Sequence, residues 1–99
     1  MKVRFTDDAE VDFGEIGEYI ARDDIATARE FLGDLKAFIL RIASAPSAYR
    51  VRSEWSGEVR AARFGSYLVI FELEAEGLVV LRIVNGRRNI ARLLREARR

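Results

Sequence analysis

Any catalysis in this 99-residue sequence must come from Arg, Lys, Tyr, Glu or Asp, and its cations are almost all arginines. Histidine and cysteine are both absent, which removes the side chain most used for proton transfer near neutral pH and all thiolate and disulfide chemistry. Among the groups that remain, the cations that stand out are Arg60, Arg82 and those of the run Asn85-Gly86-Arg87-Arg88-Asn89, beside Tyr67 and two lysines, Lys2 and Lys36. Guanidinium groups bind planar oxyanions bidentately and are weakly hydrated, so such a cluster suits phosphate, carboxylate or an acidic protein surface. Arg60 and Arg82 could also stabilise charge that develops on an anionic transition state, but catalysis of that kind needs a base and an acid as well. Neither is evident. No tyrosine follows Tyr67, Glu96 is the one acid beyond Val84, and Lys36 falls on a solvated helix position. The inventory points to binding; it assigns no catalytic, metal-ligating or cofactor-holding residue.

The net charge of +1 hides an asymmetry. Met1 to Tyr49 holds six basic and ten acidic side chains, whereas Arg50 to Arg99 holds eleven arginines and six acids. With 49% hydrophobic residues and one proline, residues 1–99 are expected to form one domain that buries roughly two-thirds of its unfolded surface. No apolar stretch approaches the roughly 18 residues of a bilayer span, and Met1-Lys2-Val3-Arg4-Phe5 leads into acids and not into a signal-peptide core. A cytoplasmic protein without membrane contact is the expectation.

The elements that must position the arginines can be read from periodicity. Lys2 to Phe5 alternates, with Val3 and Phe5 on one face, as a short strand does. Thr6 offers an N-cap, and Asp7 and Asp8 place negative charge where the helix dipole favours it. Ala9, Phe13, Ile16 and Ile20 then form an apolar stripe, with Glu10, Asp12, Glu15 and Glu18 on the opposite and flanking faces, to about Ala21 or Arg22. Asp23-Asp24 caps a second helix, whose stripe from Ile25 through Leu35 and Ile42 runs to about Ala43. So short a link makes the two an antiparallel hairpin. Ser44 to Gly57 has no sustained period and reads as a loop; its Trp55 is expected to cover one end of the core.

Three strands follow. Gly65-Ser66 links Glu58–Phe64 to Tyr67–Glu74 with a leading glycine suited to a type II′ hairpin, and Glu76-Gly77 reverses the chain into Leu78–Val84. Two-residue turns pair Phe64 with Tyr67 and Ala75 with Leu78. One face then carries Arg60, Ala62, Tyr67, Val69, Phe71, Val80, Arg82 and Val84, with Arg60, Phe71 and Arg82 in a row. The other, more apolar face carries Val59, Ala61, Leu68, Ile70, Val79, Leu81 and Ile83 and is expected under the helices. A three-residue loop at Ala75 to Gly77 would exchange the faces of the last strand.

This α+β order of N-terminal strand, antiparallel helical hairpin, three-stranded antiparallel meander and short basic C-terminal helix or tail resembles the ParE branch of the ParE/RelE toxins of bacterial type II toxin-antitoxin systems. The resemblance covers nearly the whole chain. It rests on Thr6-Asp7-Asp8-Ala9, Phe31-Leu32, Pro46, Val59-Arg60, Gly65-Ser66-Tyr67-Leu68-Val69-Ile70-Phe71 and Val80-Leu81-Arg82-Ile83-Val84-Asn85-Gly86-Arg87-Arg88-Asn89. The family frequently has histidine where Asn85 stands and aspartate where Asn89 stands; asparagine keeps hydrogen bonding there but cannot shuttle a proton.

The resemblance implies a non-enzymatic toxin that inhibits DNA gyrase by binding. It also implies a cognate ParD-like antitoxin in a hetero-oligomer, with DNA reached only indirectly through that antitoxin. The sheet face expected to be uncovered supplies the antitoxin-binding candidates Arg60, Tyr67, Val69, Phe71, Arg82 and Val84, an apolar patch with cations that an acidic amphipathic helix would match. The C-terminal segment, with Ile90, Leu93 and Leu94 at helical spacing, could cover the same patch itself. Target-binding falls to Arg82, Asn85, Arg87, Arg88 and Asn89. The related RelE branch supplies the enzymatic rival, a ribosome-dependent mRNA endoribonuclease. A third reading is a non-toxic antitoxin or nucleic-acid-binding module using the basic tail from Arg87 to Arg99.

Overall fold

The computed structural model describes residues 2–55 and 57–97. Strand β1 (Lys2–Phe5) leads into helix α1 (Asp7–Ala21), and a short link leads into α2 (Ile25–Ser44). Two 3₁₀ turns, Pro46–Ala48 and Ser53–Trp55, occupy the loop. Strands β2 (Arg60–Phe64), β3 (Tyr67–Glu74) and β4 (Gly77–Asn85) follow, then helix α3 (Ile90–Ala97). Both helix starts are made by the residues expected to make them. The Thr6 hydroxyl oxygen accepts from Ala9 N–H at 3.1 Å, and Asp24 accepts from Thr27 N–H at 3.1 Å, each satisfying a donor that the first turn leaves without an intrahelical partner.

The strands form one sheet in the order β1-β4-β3-β2, with β1 parallel to β4 and the other pairs antiparallel. The first hairpin is as expected: Phe64 faces Tyr67, and Gly65 takes φ +61°, a region open to glycine. The second turn is not. Glu74 faces Gly77, so the turn residues are Ala75 and Glu76, and the expected Ala75–Leu78 pairing does not occur. Gly77 is a glycine because of close approach, not because of a turn. It is a buried strand residue opposite Lys2 of β1, and a Cβ there would stand 2.1 Å from the Lys2 carbonyl oxygen. Gly77→Ala is therefore expected to push β1 off the sheet and to cost about 3 kcal/mol, the upper end of ordinary overpacking. A chemical-denaturation midpoint unchanged from the parent would refute this.

A bulge then changes the rest of β4. Ile70 faces Arg82 but Phe71 faces Val80, leaving Leu81 as the extra residue. Arg60 does face Phe71, but Arg82 leaves the expected row. Past the bulge the faces of β4 exchange, so Ile83 joins the side of Val69, Phe71 and Val80, and Val84 joins Ile70.

The expected assignment of faces is corrected by the packing. Helices α1 and α2 cover Ala62, Val69, Phe71, Leu78, Val80 and Ile83, together with Phe64 and Tyr67. Phe31 meets Phe64 and Tyr67 edge-to-face, and Tyr49 meets Phe71 in the same way. The opposite face, with Val59, Ile70 and Val84 flanked by Ala61, Leu68 and Leu81, is covered by Ile90, Leu93 and Leu94 of α3. Trp55 packs on this second cluster, under the Arg52 guanidinium at 4.1 Å from its ring centre. Both faces are buried, so their relative apolarity in the sequence carries no information about which one the hairpin takes.

Candidate functional site

The most constrained polar group lies where α1 crosses β4. Strand β1 ends at Phe5, so β4 has no strand neighbour on that side beyond Val80. Helix α1 supplies the missing partners. The Thr6 hydroxyl donates to Leu81 O at 2.8 Å, and the Asp12 carboxylate accepts Ile83 N–H at 2.9 Å. Asp12 also receives the Arg82 fork, Nε at 2.7 Å on one oxygen and Nη2 at 2.9 Å on the other. The side chains are 8% and 15% exposed. The hydrogen bond to Asp12 raises the Arg82 pKa; burial opposes this, while Asp12, Asp8 and Glu15 add attraction. Arg82 stays charged with its bidentate edge filled, which is the geometry of a structural clamp.

Asp12 was expected on the faces of α1 opposite or flanking its apolar stripe; it is buried. The signal was present in the spacing. Asp12 lies three residues after Ala9 and four before Ile16, within the apolar stripe, and an acid on such a stripe needs a cationic or N–H partner.

The segment after β4 uses its asparagines for its own backbone. Asn85 Oδ1 accepts from Arg87 N–H at 3.0 Å, and Asn89 Oδ1 accepts from Arg92 N–H at 3.1 Å, which caps α3. Arg88 N–H donates to Asn85 O, and Gly86 N–H to Ser66 O, tying the turn to the first hairpin. The side chains of Arg87 and Arg88 are exposed. Of the five residues expected to face a target, two guanidinium groups are thus presented outward, two asparagines hold the turn and cap the helix, and Arg82 is internal.

The six residues expected to bind an antitoxin do not form an uncovered patch. Val69 and Phe71 are fully buried and Val84 is 3% exposed. Tyr67 is half-buried against Phe31. Arg60 donates from Nη1 to Tyr49 O at 2.8 Å and to Pro46 O at 3.4 Å, fastening the loop to the edge strand β2, and its Nε is buried without a partner. What does open to solvent nearby is a groove of about 210 Å³, walled by Glu15 and Tyr19 of α1 on one side and by Tyr67, Asn85 and Arg88 on the other. It brings an acid and a cation to opposite walls, with a tyrosine beside each. Among the described residues no cluster of three or more acids could hold a metal ion, and no helix is long and apolar enough to cross a membrane.

A sequence model of the ParE toxin of type II toxin-antitoxin systems, parDE, matches residues 3–90. The chain belongs to the ParE toxin family. The match takes in the Asp12–Arg82 clamp and the Asn85 turn, and ends at the first residue of α3. Comparison with curated proteins gave no match. Among solved structures, this ParE-family toxin is similar to a chain of the chromosomal ParDE toxin-antitoxin system from P. aeruginosa. The TM-score is 0.73 at 17% identity, over 86% of this chain and 95% of that one, a likeness of fold. It is also similar to a chain of the toxin-antitoxin complex RelBE2 from Mycobacterium tuberculosis, with a TM-score of 0.50 and 29% identity, over 88% and 92% of the two chains. The ParE/RelE-like fold expected from the order of elements is the fold observed.

Proposed function

We propose that this ParE-family toxin acts by binding, with DNA gyrase as its target and a cognate ParD-like antitoxin as its inhibitor in a hetero-oligomer. The observation that carries the reading is the family match over residues 3–90, joined to the chemistry of the clamp. An RNA-cleaving site would need free cations beside a base and an acid. Arg82 is held by Asp12, Arg60 is held by Tyr49 O, and Tyr67 is packed on Phe31. Of the residues expected to bind a target, the exposed cations are Arg87 and Arg88. Support for an antitoxin partner comes from the solved neighbours, which are a ParDE system and a RelBE2 complex.

The experiment is a gyrase supercoiling assay run beside a ribosome-dependent mRNA cleavage assay on one protein sample. The expected result is loss of supercoiling with accumulation of cleaved DNA, no mRNA cuts, and relief by the antitoxin. Arg87→Glu/Arg88→Glu should weaken inhibition at least about tenfold, the effect of losing two charged contacts at about 1 kcal/mol or more each, with an unchanged melting temperature. Codon-phased mRNA cuts with gyrase unaffected would overturn the reading in favour of a RelE-like nuclease.

A further inference from the structure

We infer that the exposed arginines around α3 form a ridge that binds duplex DNA through its phosphates, independently of sequence. This goes beyond the gyrase reading and does not depend on it. Arg87, Arg88, Arg92 and Arg95 all have exposed side chains. Arg92 and Arg95 are three apart on α3 and share one face of it, and Arg88, in the turn before the helix, lines a shallow groove with Arg92 and Glu96. The face of Arg92 and Arg95 is the side away from Ile90, Leu93 and Leu94, which are buried on the sheet. Arg63 of β2 joins the ridge from the neighbouring hairpin, its guanidinium 3.4 Å from the place a Cβ on Gly86 would take. Glu96 is the one acid of the sequence beyond Val84. It pairs with Arg92 at 3.3 Å in an exposed i,i+4 contact, an arrangement that salt and a competing phosphate readily displace.

The surroundings of the ridge choose among polyanions. The large exposed apolar residues among the described ones are Val11, Tyr19, Ile25, Leu40 and Leu73, on α1, α2 and β3 and not on α3. A protein partner is gripped through buried apolar or aromatic anchors, and a membrane takes up an apolar helix face; α3 has already committed that face to the sheet. A single strand stacks its bases on aromatic rings, but Trp55, the aromatic on this side of the sheet, is half-buried and covered by Arg52. Asn85 and Asn89, the side chains suited to base edges or a 2′-hydroxyl, use their oxygens on the N–H groups of Arg87 and Arg92. Phosphate contact remains, and it fixes position without reading sequence.

The test is fluorescence anisotropy of a labelled duplex of about 20 base pairs with the full chain, titrated between about 50 and 200 mM salt. Four to five phosphate contacts predict that log affinity falls against log salt with a slope of about −4, unchanged when the duplex sequence is scrambled. Arg92→Ala/Arg95→Ala should make the slope shallower by about 2, since each lost contact removes about 0.9. Arg92→Lys/Arg95→Lys should restore it, and Arg29→Ala on α2 should leave it unchanged. Glu96→Gln should tighten binding about threefold by releasing Arg92, a gain that a merely structural role for these residues would not produce. The proposal is overturned by absence of binding at about 50 mM salt, or by a slope indifferent to the Arg92/Arg95 substitutions. It is equally overturned if a single strand of the same length, polyglutamate or phosphatidylserine vesicles displace the protein from the duplex better than unlabelled duplex does.

Discussion

Asp12→Ala is expected to cost about 3–5 kcal/mol of folding stability, the range measured when one partner of a buried ion pair is removed. Two losses combine in that figure. Arg82 keeps a charge at 15% side-chain exposure with nothing to receive its fork, and the Ile83 N–H loses its acceptor on a stretch of β4 that has no strand neighbour. Arg82→Ala should cost less, because Asp12 still accepts from Ile83 N–H. The double variant should cost less than the sum of the two, since the second change removes a group the first has stranded. Urea denaturation of the parent and the three variants measures all of this, and an Asp12→Ala midpoint within about 1 kcal/mol of the parent would sink the clamp. The result also bears on function. Arg82 stood among the residues expected to touch both target and antitoxin, and its geometry gives it a different task. On the proposed gyrase reading, an Arg82→Ala protein that is kept folded by low temperature is expected to inhibit as the parent does; activity lost at full folding would return Arg82 to the contact surface.

Phe71→Ala should be comparably damaging, at about 3–5 kcal/mol. The ring is fully buried, stacked edge-to-face on Tyr49 at 5.9 Å and faced across the sheet by Arg60 and Val80. Its removal opens a cavity where the helical hairpin, the 3₁₀ loop and two strands meet, and the loop cannot move into the gap without straining the Arg60 bond to Tyr49 O. For a domain of this size each kcal/mol moves the melting temperature by about 4–8 °C, so a fall of more than about 12 °C is expected by calorimetry. Val11→Ala, at a position 57% exposed on α1, should stay within about 0.5 kcal/mol of the parent. A Phe71→Ala protein with parental melting temperature and lost antitoxin affinity would reinstate the reading of Phe71 as a partner-facing residue.

The parts of the fold written in local chemistry were legible from the chain. Thr6 and Asp24 cap the helices that their hydroxyl and carboxylate predict, and Gly65-Ser66 turns the hairpin that its leading glycine predicts. The order of elements and its run of motifs were enough to reach the family. The second hairpin failed for a physical reason: a glycine before a strand signals a turn, yet Gly77 answers to the Lys2 carbonyl, 75 positions away in sequence and adjacent in space. Of the candidate site, Arg87 and Arg88 could be read as presented cations, because a short turn between a strand and a helix leaves long side chains in water.

The sequence alone determined the class of chemistry. A chain without histidine or cysteine leaves thiolate and imidazole chemistry out, and its arginines, gathered in the second half, suit it to bind anions. Only the tertiary structure decided which arginines remain free to do so. The bulge at Leu81 puts Ile83 under the helical hairpin and takes Arg82 out of the expected row. The end of β1 at Phe5 leaves the edge of β4 open for α1, where Asp12 takes the Arg82 fork and the Ile83 N–H. The docking of α3 closes the second face of the sheet. Each of these depends on contacts between residues far apart in the chain, where periodicity carries no information and burial settles the outcome.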